Sequence, residues 1–143
     1  MYRKILIALE NSRTDATILE HVLPLAKLAG AEVLLVHVAD GWVARTLEEL
    51  NLADSEEMRA DRAYLEEVRA RFAAEGVPAA AELARGEPAD EIVRIVEQSG
   101  VDLVAMSTHG HRFLADLILG STASKVRHTV RVPVLLLKAT DAA

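Results

Sequence analysis

A glycine-bearing stretch near the C-terminus holds the residue types that proteins use to bind phosphate. Gly110 and Gly120 are separated by nine residues, and Ser121 and Thr122 follow directly, where the pattern indicates a helix start. Glycine lets a backbone N–H approach a phosphate closely, and a helix N-terminus favours an anion. The spacing therefore predicts a phosphate site, although a loop glycine followed by Ser or Thr helix caps gives the same pattern.

Two histidines, His109 and His111, flank Gly110 and have three alternative roles. They can ligate a metal, contact a phosphate or lie in a solvated loop. The chain has no cysteine, and no acidic residue follows until Asp116, so we predict no metal held by the protein itself. Among the nearby cations, only Arg112 is expected to neutralise phosphate charge.

Other candidate residues give no catalytic set. The sequence contains no cysteine nucleophile and no Gly-x-Ser-x-Gly elbow between a strand and a helix. His37 lies in an apolar strand and is expected to be a hydrogen-bonded histidine of the core or crevice edge. Trp42 follows that strand and can cover a pocket or pack in a dimer contact. A binding protein is therefore favoured over an enzyme.

The composition excludes several classes of partner. A net charge of −6 and only 3% aromatic residues argue against nucleic-acid binding, which needs basic surface and stacking platforms. No apolar run approaches the roughly 20 residues of a membrane helix. Residues 1–4 lack a signal-peptide pattern, so we expect a cytoplasmic protein. A length of 143 residues predicts a single domain, residues 1–143.

Five apolar segments alternate with four helical patterns and must position these residues. The apolar segments are residues 4–9, 32–38, 79–84, 103–106 and 133–137. This alternation predicts an α/β fold with an open, doubly wound, five-stranded parallel sheet and helices on both faces. In such sheets ligands bind beyond the carboxyl ends of the strands, where the strand order reverses. Glu10 and the Ser107–Gly110 segment are expected to flank that crevice.

The C-terminal stretch resembles the signature of the universal stress protein family. Its elements are Ser107-Thr108-His109-Gly110, nine further residues, Gly120-Ser121-Thr122, and the strand at 133–137. Residues 4–12 resemble the first strand and acidic turn of that family. In the nucleotide-binding branch, Gly-x2-Gly-x9-Gly-Ser/Thr holds the phosphates of ATP. The resemblance implies a Rossmann-like fold of the adenine nucleotide alpha hydrolase kind.

Position by position, the resemblance implies an adenine-nucleotide site. Ser107 stands at the first glycine of the signature, and Glu10 stands at an acidic position that is usually aspartate. The implied ligand is ATP or AMP, with Mg²⁺ or Mn²⁺ held through the phosphates. Pattern and resemblance together nominate Ala8, Leu9, Glu10, Val38, Met106, Ser107, His109, Gly110, Arg112, Gly120, Ser121 and Thr122.

The predicted assembly is a homodimer formed through the C-terminal strand, Val134 to Leu137. An exposed apolar edge strand is a liability that pairing with a second chain removes, and the resemblance implies the same contact. The favoured function is a dimeric nucleotide sensor of the stress response with an unidentified protein partner. Two alternatives stay open: a weak ATP hydrolase in which Glu10 or a histidine positions water, and a protein-interaction module without nucleotide.

Overall fold

The computed structural model describes residues 1–40, 47–108 and 121–139. Strands and helices alternate along the chain, as the sequence predicts. The strands are β1 (Lys4–Leu9), β2 (Glu32–Asp40), β3 (Ala79–Gly86), β4 (Leu103–Thr108) and β5 (Val134–Lys138). The helices are α1 (Asp15–Ala29), α2 (Leu47–Ala74), α3 (Pro88–Ser99) and α4 (Ser121–Thr129). Within these ranges no helix is long and apolar enough to span a membrane.

The strands form one parallel sheet with β1 at its centre. The strand order is β3-β2-β1-β4-β5, and every neighbouring pair is parallel. The chain runs outward from β1 to β3 and then crosses back to β4, so the order reverses between β1 and β4. The predicted open, doubly wound, five-stranded α/β fold is confirmed. Its reversal point marks where a ligand crevice forms in such sheets.

Two apolar cores cover the two faces of the sheet. Ile5 and Ile7 of β1 pack with buried residues of α1 and α2. Leu6, between them, packs with buried residues of α3 and α4. All three side chains are fully buried, which explains why β1 is continuously apolar instead of alternating.

Two predicted helix starts are wrong. The polar residues after the first apolar segment predict that Asn11 or Ser12 caps the next helix, but α1 begins at Asp15 with Thr14 before it. The Asn11 side chain instead donates a hydrogen bond to Asp61 of α2. Ser55, followed by Glu56 and Glu57, predicts the start of the long second helix, yet α2 begins at Leu47. No glycine or proline lies between Leu47 and Ala74, so nothing interrupts the helix there.

The end of β4 also differs from the sequence prediction. The small and polar residues from Ser107 to Gly110 predict a turn directly after the fourth apolar segment, but β4 continues through Thr108. Parallel pairing with β5 extends β4 to Thr108, because Ser107 pairs with Leu137 and Thr108 pairs with Lys138. Ser107 is therefore held by the sheet and has a fixed position at the carboxyl end of β4.

Candidate functional site

A cavity of about 230 Å³ lies at the carboxyl ends of β1, β2 and β4. The starts of α3 and α4 close one side of it. Its lining consists of Ala8, Leu9, Glu10, Val36, His37, Val38, Pro88, Ile92, Met106, Ser107, Thr122 and Ala123. The cavity therefore occupies the place where the strand order reverses. We refer to it as the crevice.

The structure brings seven of the twelve nominated residues together around the crevice. These are Ala8, Leu9, Glu10, Val38, Met106, Ser107 and Thr122. Ser121 is the exposed first residue of α4 and is not part of the lining. His109, Gly110, Arg112 and Gly120 lie outside the described residues, as does Trp42.

Sequence reasoning missed four lining residues: Val36, Pro88, Ile92 and Ala123. Val36 could have been found, because it is two residues before Val38 and must share its face of the strand. Pro88 and Ile92 come from the first turns of α3, and nothing local indicates that this helix end covers the crevice. Buried Val36, Ile92 and Met106 give the crevice an apolar floor.

The crevice has polar side-chain groups from Glu10, Ser107 and Thr122. The Ser107 hydroxyl oxygen is buried and has no hydrogen-bond partner among the described residues. Leaving a buried polar group unpaired costs about 1–3 kcal/mol, so such a group calls for a ligand or water. Glu10 and Thr122 add a carboxylate and a second hydroxyl. An apolar floor with a few convergent polar groups is the usual design of a small-molecule site.

The loop between β1 and α1 is held by a buried carboxylate. Asp15 is 2% exposed and accepts the backbone N–H groups of Glu10 at 3.0 Å and Asn11 at 2.9 Å. The Tyr64 hydroxyl also donates to Asp15. Burial raises the pKa of Asp15 and outweighs these hydrogen bonds, which lower it. Burial and the contact with Asp15 likewise raise the pKa of Tyr64.

A second set of contacts involves His37 at the crevice edge. Its Nδ1 lies 2.8 Å from the Leu9 carbonyl oxygen, which only accepts, so Nδ1 carries a proton. Its Nε2 lies 3.3 Å from Asp61 Oδ2. Asp61 is 5% exposed, and its Oδ1 accepts a hydrogen bond from Asn11 Nδ2 at 2.9 Å. Both ring nitrogens of His37 are engaged, as expected for a hydrogen-bonded histidine at the crevice edge.

Charged groups around the crevice are sparse. Lys125 of α4 pairs with Asp90 at 2.7 Å and with Glu87 at 3.6 Å, so its ammonium is directed at the start of α3. Within residues 1–40, 47–108 and 121–139, no three His, Cys, Asp or Glu side chains gather where they could hold a metal. Glu10 is the one carboxylate among the lining residues described.

Known proteins resemble this chain over nearly its whole length. The model of the Universal stress protein family matches residues 1–138. Universal stress protein YxiE of Bacillus subtilis is 30% identical, over 96% of this chain and 100% of its own length.

Solved structures agree with this match. The structure of MJ0577, a universal stress protein of Methanocaldococcus jannaschii, matches with a TM-score of 0.87 at 31% identity, covering 99% of each chain. A universal stress protein of Archaeoglobus fulgidus, solved in complex with dAMP, shares the fold with a TM-score of 0.66 at 21% identity, over 96% of this chain and 98% of its own. The family match, the relatives and the sheet order agree, and the chain belongs to the universal stress protein family.

Proposed function

We propose that this protein binds an adenine nucleotide, ATP or AMP, in the crevice between the carboxyl ends of β1 and β4. In this proposal it is a single-domain, cytoplasmic, dimeric sensor of the stress response, residues 1–143, which signals occupancy to a protein partner. The observation that carries the proposal is the crevice itself. It joins an apolar floor, the start of α4 and the Ser107 hydroxyl, which has no hydrogen-bond partner among the described residues, at the reversal point of the sheet.

Each part of the crevice suits one part of a nucleotide. The floor of Val36, Ile92 and Met106 offers the apolar surface that a purine base requires. The Glu10 carboxylate can accept hydrogen bonds from ribose hydroxyls. The N-terminus of α4 carries the positive end of the helix dipole, and the backbone N–H groups of its first turn point along the helix axis, an arrangement that attracts phosphate. The fold shared with the dAMP-bound protein of Archaeoglobus fulgidus supports this assignment.

The remaining phosphate contacts rest on the sequence pattern. Gly110 and Gly120 precede α4 and complete the glycine signature, and His109 and Arg112 are the further candidates for phosphate contacts in that stretch. A divalent cation, Mg²⁺ or Mn²⁺, would be held mainly through the phosphates, because Glu10 is the one carboxylate in the described lining. Binding, rather than hydrolysis, is favoured, since both ring nitrogens of His37 already face protein oxygens, those of Leu9 and Asp61.

Calorimetric titration of the purified protein with ATP and AMP, each with and without Mg²⁺, tests the proposal. We expect saturable 1:1 binding per chain, with no binding in a Gly120→Asp variant, which places a negative charge at the predicted phosphate loop. Acid extraction of the purified protein should also release an adenine absorbance if nucleotide is retained. No heat with either nucleotide up to millimolar concentration would leave only the protein-interaction alternative.

The dimer rests on a separate observation at the edge of the sheet. β5 is an edge strand, and Val134, Leu135, Leu136 and Leu137 are all only half-buried although all are apolar. Pairing with a second β5 would cover these side chains and satisfy the free edge. Light scattering at micromolar concentration should give the mass of two chains, and the mass of one chain would contradict the dimer.

A further inference from the structure

The crevice loop, residues 10–14, is tied to the middle of α2 by two buried carboxylates. Asp15 of α1 and Asp61 of α2 are 2% and 5% exposed. Buried carboxylates are costly unless their oxygens are hydrogen bonded, so their partners indicate what they hold. Each of the two contacts Asn11, one through its backbone and one through its side chain.

The two contacts fix an unusual backbone conformation. Asn11 has a φ of +58°, in the left-handed region that few side chains tolerate. Its N–H donates to Asp15, while its Nδ2 donates to Asp61. The same turn presents the N–H of Glu10 to Asp15 at 3.0 Å and lets Thr14 donate to Glu10 Oε2 at 3.0 Å. The direction of the Glu10 side chain therefore depends on contacts made beneath the loop.

Both contacts lead to one face of α2. Asp61 and Tyr64 are three residues apart in the helix, so their side chains project from the same face. Tyr64 donates to the Asp15 carboxylate that holds residues 10–11. Asp61 faces Asn11 on one oxygen and His37 on the other. Glu10 and His37, at the far ends of these contacts, line the crevice.

We propose that Asp61 and Tyr64 of α2 are positioning residues for the crevice, which hold residues 10–14 so that Glu10 faces the ligand. Neither residue lines the crevice itself. Asp61 acts through Asn11 and His37, and Tyr64 acts through Asp15. The inference deepens the proposed function, because the ligand that Glu10 would meet is the nucleotide.

Substitutions at Asp61 separate positioning from bulk stability. Asp61→Ala removes the acceptor of the Asn11 side chain and the contact with His37 Nε2. Asp61→Asn keeps an oxygen that can accept from Asn11 and places its amide NH2 group against His37 Nε2. We expect Asp61→Ala to weaken ATP binding about tenfold, whereas Asp61→Asn stays within about twofold of the unaltered protein. Tyr64→Phe, which removes one hydroxyl, should weaken binding about threefold.

Matched controls use the same chemical changes at the opposite end of the sheet. Tyr2→Phe and Asp102→Ala lie at the amino ends of the strands and should leave ATP affinity unchanged. Thermal unfolding of each variant confirms that it is folded at the titration temperature. If Asp61→Ala does not fold, Tyr64→Phe, compared with Tyr2→Phe, decides the question.

Amide NMR provides a readout that does not depend on nucleotide. The Glu10 and Asn11 resonances should move in Asp61→Ala and Tyr64→Phe and return in Asp61→Asn. If the unaltered protein binds neither ATP nor AMP, the proposed function fails, and these resonances alone decide whether α2 positions the loop. The inference would be overturned if the Glu10 and Asn11 resonances did not move in Asp61→Ala and Tyr64→Phe, or if both variants kept the ATP affinity of the unaltered protein. It would also be overturned if Asp61→Asn lost as much ATP affinity as Asp61→Ala.

Discussion

At each end of β1, an aspartate carboxylate accepts hydrogen bonds from backbone N–H groups, but one aspartate is exposed to solvent and the other is buried. At the amino end, Asp102 accepts the backbone N–H groups of residues 3–4 at 2.9 to 3.2 Å. At the carboxyl end, Asp15 accepts those of residues 10–11 at 2.9 to 3.0 Å. Asp102 is in contact with solvent, whereas Asp15 is 2% exposed.

The surroundings reverse the effect on the pKa. Partial burial raises the pKa of Asp102, but the N–H groups of residues 3–4 outweigh it and the net pKa is lowered. At Asp15 burial prevails over similar hydrogen bonds and the net pKa is raised. At the amino end, a carboxylate that is in contact with solvent thus joins β1 to the start of β4 and stabilises the sheet. The carboxyl end buries a costly carboxylate beneath the crevice, which is expected where function, more than stability, shapes the structure.

The largest expected difference between the two ends is in stability. Asp15→Ala should lower the free energy of unfolding by about 3 kcal/mol, because two backbone N–H groups and a tyrosine hydroxyl lose their acceptor in a buried place. Asp102→Ala should cost about 1 kcal/mol, since water can replace the carboxylate there. Urea unfolding of both variants measures the difference, and equal losses would break the comparison.

The pH dependence of stability should have opposite signs at the two ends. The folded pKa of Asp102 is below its ordinary 3.8, so its stabilisation is complete above that value and is lost as pH falls through the folded pKa. The folded pKa of Asp15 is above its ordinary 3.8, so the folded state binds more protons in that interval. The pH-dependent part of its contribution is present below pH 3.8 and is lost as pH rises through the folded pKa.

Urea unfolding over an acid pH series can test both signs. The stability of the unaltered protein minus that of Asp102→Asn should shrink towards acid pH. The same difference for Asp15→Asn should grow towards acid pH. If both differences shrank towards acid pH, the hydrogen bonds, and not burial, would set the charge state at both ends.

A smaller effect is expected at the unpaired hydroxyl of the carboxyl end. Ser107→Ala should reduce ATP affinity about fivefold if the hydroxyl meets the ligand, and it should leave the free energy of unfolding unchanged or slightly higher. Ser99→Ala, at the C-terminal end of α3, is the matched control and should alter neither. Isothermal titration and urea unfolding give the two values. An ATP affinity unchanged by Ser107→Ala would remove this residue from the site.

The smallest effect is expected at Lys125, whose ion pairs with Asp90 and Glu87 are exposed. Exposed ion pairs contribute little to stability, and these hold the ammonium at the start of α3. Lys125→Met should leave both Tm and ATP affinity unchanged within error. A clear loss of affinity would place this cation at the phosphates and revise the geometry of the carboxyl end.

The strands were predictable because burial on both faces leaves a local signature. The continuous apolar residues of β1 are by themselves enough to indicate a central parallel strand. A turn at Ser107 is predicted from the polar character of this residue and its neighbours in sequence. Its actual place in β4 depends on pairing with Leu137, which is distant in sequence. The contact of Tyr64 with Asp15 joins residues 49 positions apart and has no periodic signal. Sequence reasoning therefore found the crevice but not the contacts beneath it.

An amide NMR titration with ATP and Mg²⁺ tests the central claim most directly, because both ends of β1 report in one spectrum. We predict saturable shifts at Ala8, Ser107 and Thr122, with those of Arg3 and Asp102 unchanged. Absence of shifts up to millimolar ATP, or shifts of equal size at both ends, would contradict a nucleotide site in the crevice.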